Sequence, residues 1–375
     1  MAMVCSKKNS RSGVVVCGAY GMGNAGDEAI LQAILGELRG IDPAMPITVM
    51  TRDPQGAAAL LGVKTLHTLD VFGFLRAVRH AALYVNGGGS LIQDVTSRRS
   101  LWYYLFTLRA AKRAGCRVMM YGCGIGPVLY KGDIRRARSA LNRYVDIITL
   151  REPDSLEELR SFGVTKPELI LASDPALTLP AAPEAEVDAL LRDFDAEPSG
   201  KYICFALRRW PGFNEKAAAF ATAAVYASEK YGLTPLFVSI NHMNDGDAAE
   251  RVISLLGETP FRSLPGPLPP ELAIGLMKRM QLVVSMRLHG LIFAAGQGVP
   301  IVGISYDPKV ASFLRCVGGG CTELEETTAE GLCALIDSAV ALRDNTEKLT
   351  ENVRSLRAME SRNTEAARRL LKEEE

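Results

Sequence analysis

The stretch QLVVSMRLHGLIFAAGQGVPIVGIS, residues 281–305, decides how the chain is read. Gln281 to Ser285 is short, apolar and β-branched, the signature of a buried parallel strand. Leu288 to Ala295 is apolar and helix-compatible, Gly296 and Gly298 stop it, and Ile301 to Ser305 reads as the next strand. Arg287 and His289 therefore fall where the carboxyl end of a strand turns into a helix. Free backbone N–H groups and a positive helix dipole favour a phosphate or carboxylate there. A fixed cation beside a titratable imidazole suits an anionic substrate whose reaction needs a proton. The competing reading, a structural histidine with a salt-bridged arginine, is weakened because the same arrangement recurs elsewhere in the chain.

It recurs first near the amino terminus. Val14 to Gly18 reads as a strand, then glycines 21, 23 and 26 form a turn before an amphipathic helix. This is close to a dinucleotide fingerprint, but Asp27 and Glu28 at the helix start would repel a pyrophosphate. They could instead cap the helix in a tight turn, or Asp27 could face a sugar hydroxyl as acceptor or base, with Asn24 also a candidate for substrate binding. A second strand is read at 47–51 and a third at 82–86, ending in Gly87-Gly88-Gly89-Ser90. Glycines there allow close approach of a ligand to the backbone. Gln93, Asp94, Thr96, Ser97, Arg98 and Arg99 follow, and the two arginines could reach an anion. Further strands are read at 117–122, 147–150 and 169–174.

Residues 179–200, rich in Pro, Ala and acid, read as a connection between two α/β halves. The pattern restarts with a strand at 201–207 that ends in Arg208-Arg209-Trp210, and another at 234–240. Strand alternation alone leaves open which of Arg208 and Arg209 faces inward. From residue 327 the chain reads as helical and charged. Two parallel sheets whose carboxyl edges face each other across a cleft, with the last helix crossing back onto the first domain, make a GT-B-like pair of Rossmann-like domains. The expected divisions are 1–185, 186–340 and 341–375.

Composition narrows the function. The 375 residues are 48% hydrophobic and 23% charged, enough for a sizeable core. Forty-three basic and 42 acidic residues give a net charge of +1, which offers no bulk attraction for nucleic acid. Eight cysteines show no CxxC pair or metal spacing; Cys17, Cys123 and Cys204 sit in apolar runs and read as core residues in a reducing cytoplasm. No apolar leader and no run of about 18 apolar residues is visible, so a soluble protein is expected, with peripheral membrane contact left open. No metal site and no cofactor is expected.

YGMGNAGDEAIL (20–31), NGGGSLIQD (86–94), SMRLHGLIFAA (285–295) and GISYDPKV (303–310), in this order, resemble the polysaccharide pyruvyl transferase family, most of all its CsaB-type cell-wall members. The resemblance implies transfer of pyruvate from phosphoenolpyruvate to a sugar as a ketal. It further implies an N-acetylmannosamine acceptor in a secondary cell-wall polysaccharide, free or still lipid-linked, whose new carboxylate anchors S-layer proteins. It assigns donor binding or catalysis to Arg287-Leu288-His289 and Lys309. On the chemistry, His289 is the expected acid, Asp27 or Asp94 the base, and Arg287, Arg208 or Arg209, and Lys309 the holders of the anion, with Gly88, Gly89, Ser90, Arg98 and Arg99 lining the site. The alternatives are a nucleotide-sugar glycosyltransferase, with Glu323, Glu325 or Glu326 on the ribose, and a non-catalytic binding protein on the same fold.

Overall fold

The protein is described here from a computed structural model covering residues 11–343 and 345–372. The residues on which the absence of an apolar leader was read lie largely outside that range. Two parallel sheets organise the chain. The first holds seven strands: Val14–Cys17 (β1), Ile47–Thr51 (β2), Lys64–His67 (β3), Leu83–Gly87 (β4), Arg117–Cys123 (β5), Ile147–Leu150 (β6) and Glu168–Leu171 (β7). The second holds six: Tyr202–Ala206 (β8), Thr234–Val238 (β9), Arg262–Leu264 (β10), Leu282–Ser285 (β11), Ile301–Ser305 (β12) and Gly320–Glu323 (β13). The spatial orders are β3-β2-β1-β4-β5-β6-β7 and β10-β9-β8-β11-β12-β13. Both reverse direction once, between β1 and β4 and between β8 and β11. Open α/β sheets bind ligands at such a reversal.

The central strands are fully buried, as expected of parallel strands covered on both faces. Helices Val71–His80, Arg98–Ala114 and Lys131–Tyr144 enclose one apolar cluster against the first sheet. Helix Ala25–Ile41 covers its other face, in an apolar cluster that continues without interruption into the second lobe. Four strand-to-helix turns are fixed by Asp53, Asp70, Ser97 and Asp307, whose side chains accept from backbone N–H groups of the first turn.

The chain crosses between lobes twice. After the short 3₁₀ turn Pro175–Thr178, the connection carries helix Glu184–Asp193, pinned to the second lobe by Ala182 N–H donating to the Glu271 carbonyl (2.8 Å). The terminal helix Glu347–Lys372 returns to the first sheet. There Arg362 donates to the Leu171 carbonyl (2.8 Å), Asn363 to the Ser173 carbonyl (3.0 Å), and Thr364 Oγ1 to Glu37 (2.7 Å). The fold is thus the two-domain, cleft-forming arrangement with a returning helix that the strand pattern implies.

Three strands depart from the sequence reading. β3, β10 and β13 lie at or next to sheet edges, are three or four residues long and are partly polar, so no apolar run announces them. The stretch from 327 is two helices, Ala329–Leu342 and Glu347–Lys372.

Candidate active site

The two direction reversals face each other around a cavity of about 230 Å³. Its first-lobe wall comes from the ends of β1, β4 and β6: Asn24, Asp27, Gly89, Ser90 and Arg151. Its second-lobe wall comes from the ends of β8, β11 and β12: Arg208, Trp210, Arg287, Leu288, His289 and Lys309. The lobes touch beside it. Ala25 N–H donates to the Ile240 carbonyl (2.8 Å) and His242 N–H to the Gly23 carbonyl (3.0 Å), with Asn24 and Asn241 paired between them.

His289 opens helix Leu288–Gly296 and is 8% exposed, at the cavity wall rather than in the core. Its Nε2 is buried, has no hydrogen-bond partner and lies 3.6 Å from Asp174 Oδ2. Its ring lies against Gly26, where a Cβ would fall 2.0 Å from Nδ1. Asp174 also binds Arg151 Nη1 at 2.8 Å, while Arg151 Nε reaches Glu152 at 2.9 Å and Nη2 reaches Ser90 Oγ at 3.3 Å. Burial pushes the Asp174 carboxyl up, but His289 and Arg151 outweigh it and hold the group at about 2. Burial works against the Arg151 charge, yet Glu152 and Asp174 keep it firmly protonated. Arg151 and Asp174 were not singled out from sequence. Arg151 directly follows the carboxyl end of β6, while Asp174 and Arg287 lie three and two residues past those of β7 and β11, and nothing in the sequence alone pairs Arg151 with Asp174.

Asp27 accepts from Asn24 Nδ2, and Asn24 Oδ1 caps the helix at Gly26 N–H (3.1 Å). Burial raises the Asp27 carboxyl above its ordinary value, against the pull of His289 and Arg151. A carboxyl whose proton affinity is raised in this way is a better base than an ordinary carboxylate. Arg287 forks onto Asp245 through Nε (2.8 Å) and Nη2. Asp245 is itself held by Ile240 and Asn241 N–H groups at 3.0 and 2.8 Å. The arginine is therefore rigid, with Nη1 outside that pair. Arg208 lies over the rings of Trp210 (4.7 Å) and Tyr306 (4.9 Å) and donates to the Tyr306 hydroxyl at 2.6 Å. Its Nε is buried without a partner. Lys309 Nζ pairs with Asp307 at 2.7 Å.

Several sequence candidates lie elsewhere. Arg209 points to solvent and pairs with exposed Asp247 at 3.0 Å, so alternation resolves in favour of Arg208. Asp94 is buried and accepts from Leu129 and Tyr130 N–H groups at 2.7 and 3.1 Å; its carboxylate fastens a loop and does not line the cavity. Arg98 is drawn to buried Asp133 (2.7 Å), and Arg99 is exposed; neither lines the cavity. Gly88, at φ +61°, packs on Ile30, where a Cβ would fall 2.0 Å from Cγ2: it lets β4 approach the helix and meets no ligand space. Glu323, Glu325 and Glu326 are exposed and outside the cavity. Among the described residues no three His, Cys, Asp or Glu side chains converge as metal ligands.

The family model described as polysaccharide pyruvyl transferase matches residues 24–308. No curated protein matches the sequence at a significant level. Among solved structures, the chain is similar to UDP-GlcNAc 2-epimerase from Neisseria meningitidis bound to UDP-GlcNAc, at 12% identity, TM-score 0.65, over 94% of this chain and 98% of that one. It is similar to a glycosyltransferase from Rickettsia africae at 12% identity, TM-score 0.61, over 96% and 99%. It is likewise similar to HepE from Anabaena in complex with UDP-glucose, at 13% identity, TM-score 0.61, over 96% and 98%. At these identities the likeness speaks to the two-lobed fold.

Proposed function

The chain belongs to the polysaccharide pyruvyl transferase family, and from that premise we propose that it transfers the pyruvyl group of phosphoenolpyruvate to two hydroxyls of one sugar unit, as a 4,6-ketal. The observation that carries the donor is one small cavity walled by Arg151, Arg208, Arg287 and Lys309, with His289 among them. Phosphoenolpyruvate carries a phosphate and a carboxylate, and arginine forks match both. A volume near 230 Å³ is below the usual range of about 300–1,000 Å³ for drug-sized ligands, so it suits a three-carbon donor better than a nucleotide sugar.

In this reading His289, as imidazolium braced by Asp174, protonates the donor's methylene carbon. C2 becomes electrophilic, and one sugar hydroxyl adds to it while its proton passes to Asp27. The C2–O bond to phosphate then breaks, inorganic phosphate leaves, and the second hydroxyl closes the ketal. Asp27 hands its proton to the departing phosphate, and the proton of the second hydroxyl restores His289. Arg287 and Arg208 hold the charges that shift as phosphate departs. In its finer form the acceptor is N-acetylmannosamine of a secondary cell-wall polysaccharide, still lipid-linked, and the added carboxylate serves to anchor S-layer proteins. That part is supported by the motif resemblance.

Incubating the protein with phosphoenolpyruvate and candidate N-acetylhexosamine acceptors tests the reading. A product heavier by a pyruvyl ketal, formed with stoichiometric phosphate, is expected. Turnover of a UDP-sugar, with no phosphate drawn from phosphoenolpyruvate, would replace the proposal with glycosyl transfer.

A further inference from the structure

Charge is unevenly distributed in this chain. Residues 71–144 contain thirteen arginines and lysines against two acids, while the whole chain has a net charge of +1. Both acids are withdrawn from the surface: Asp94 is tied to backbone N–H groups, and Asp133 is buried under Arg98, Arg136 and Trp102. The three helices of this segment pack side by side on the first sheet's face opposite the returning helix. On helix Arg98–Ala114, residues Arg99, Trp102, Phe106, Arg109 and Arg113 recur every three or four positions and are all exposed, so they form one outward stripe. A hollow of about 590 Å³ between this helix and Lys131–Tyr144 is lined by Trp102, Phe106, Arg109, Arg135, Arg136 and Arg143. A second hollow beside helix Val71–His80 shares Phe106 and Arg109 and adds Arg79 and Arg113.

Large apolar side chains stand among these cations. Phe72, 82% exposed, lies one turn from Arg76 and lines with it a separate hollow beside helix Val71–His80; Leu129 is 65% exposed, and Tyr130, 52% exposed, lies under the Arg98 guanidinium. Leu129 and Tyr130 follow Pro127 of the cavity wall after the single buried residue Val128, and Val95 and Thr96 of that wall lead into Arg98 and Arg99. The surface is therefore continuous with the mouth of the site.

We propose that this face is a docking surface for an anionic lipid bilayer. Arginines would sit at headgroup phosphates, while Phe72, Trp102, Phe106 and Leu129 enter the interface. Aliphatic and aromatic groups standing together among cations favour a bilayer over nucleic acid, whose bases stack on aromatic rings and offer nothing to Leu129. No helix among the described residues is long and apolar enough to cross a membrane, so attachment is from one side. Docking would set the cavity mouth at the height of the headgroups, within reach of a sugar carried on a membrane lipid. This surface is independent of the reaction proposed above, because docking is read without turnover.

Flotation of the full chain with vesicles is the test. Phosphatidylcholine vesicles containing one-third phosphatidylglycerol should capture the protein, pure phosphatidylcholine should not, and capture should fade as salt rises. Arg109→Glu with Arg113→Glu should lower capture at least tenfold, and Phe72→Ser with Leu129→Ser should lower it without changing its salt dependence. All four positions are exposed, and melting curves verify that each variant is folded. Neither pair should alter turnover on a soluble acceptor. Equal capture by both vesicle types, no capture by either, or tighter retention on duplex DNA than on anionic vesicles would overturn the proposal.

Discussion

Gly26 and His289 make the closest match of residue type to place in the site. The imidazole rests where any other residue at 26 would carry its Cβ. Alanine is otherwise welcome in a helix, by about 1 kcal/mol over glycine. Gly26→Ala should therefore leave the melting temperature near its starting value while lowering kcat, because only the ring can yield; turnover and thermal melts on one preparation check this. His289→Gln should lower kcat by about 10²–10⁴, the usual worth of a positioned acid, with donor binding by calorimetry little changed. Asp174→Asn is expected to behave differently. It leaves Arg151 buried with half its counter-charge, so a loss of about 3–5 kcal/mol in denaturant melts is expected. The Asp174 carboxyl, held at about 2, contributes stability that is complete above the ordinary carboxylate value and is lost as pH falls through 2. The Asn variant should therefore show a flatter acid limb.

At the scale of elements, the returning helix buries Glu360 against Tyr121, Asn363 and Thr364, with Glu37 and Asp174 nearby as like charges. Burial, then Glu37, pushes its carboxyl up to about 7, although Asn363 and Tyr121 pull the other way. A carboxyl raised by folding contributes most below its unfolded value, and the contribution is lost as pH climbs through 7. Glu360→Gln should thus be more stable than the parent at pH 8, by up to about 3 kcal/mol, and indistinguishable near pH 4; melts at the two values decide it. What the sequence made legible follows the same physics. Fully buried strands such as β1, β8, β11 and β12 announce themselves because both faces must be apolar. β3, β10 and β13 do not, since half of each faces solvent. Arg287 and His289 were readable from their turn, because a strand end and a helix start fix a position in any α/β sheet. Asp94 misled because polarity in a glycine-rich loop serves backbone N–H groups as readily as a ligand. Arg151 and Asp174 became meaningful only when three segments, 90, 151–174 and 289, met in space.

For the whole molecule, the site exists only between lobes: Asp27, Arg151 and Asp174 belong to one, Arg208, Arg287, His289 and Lys309 to the other. A ligand bridging them ties their unfolding together. Phosphoenolpyruvate at about one hundred times its Kd should add about 2.7 kcal/mol to stability. Arg208→Ala, which removes a cation stacked on two rings, should shrink the resulting rise in melting temperature, as differential scanning calorimetry would show. The two chain crossings carry a mechanical consequence. A single tether would let one lobe swing in any direction, whereas two tethers act as a pair of hinge pins: one follows the turn Pro175–Thr178, and the other lies within the terminal helix, between Asn352, bonded to the Val317 carbonyl of the second lobe, and Arg362, bonded to the first. Any opening would then be confined to rotation about the line through both pins, and the backbone bonds joining Ala25 to Ile240 and Gly23 to His242 would be the latch it has to release.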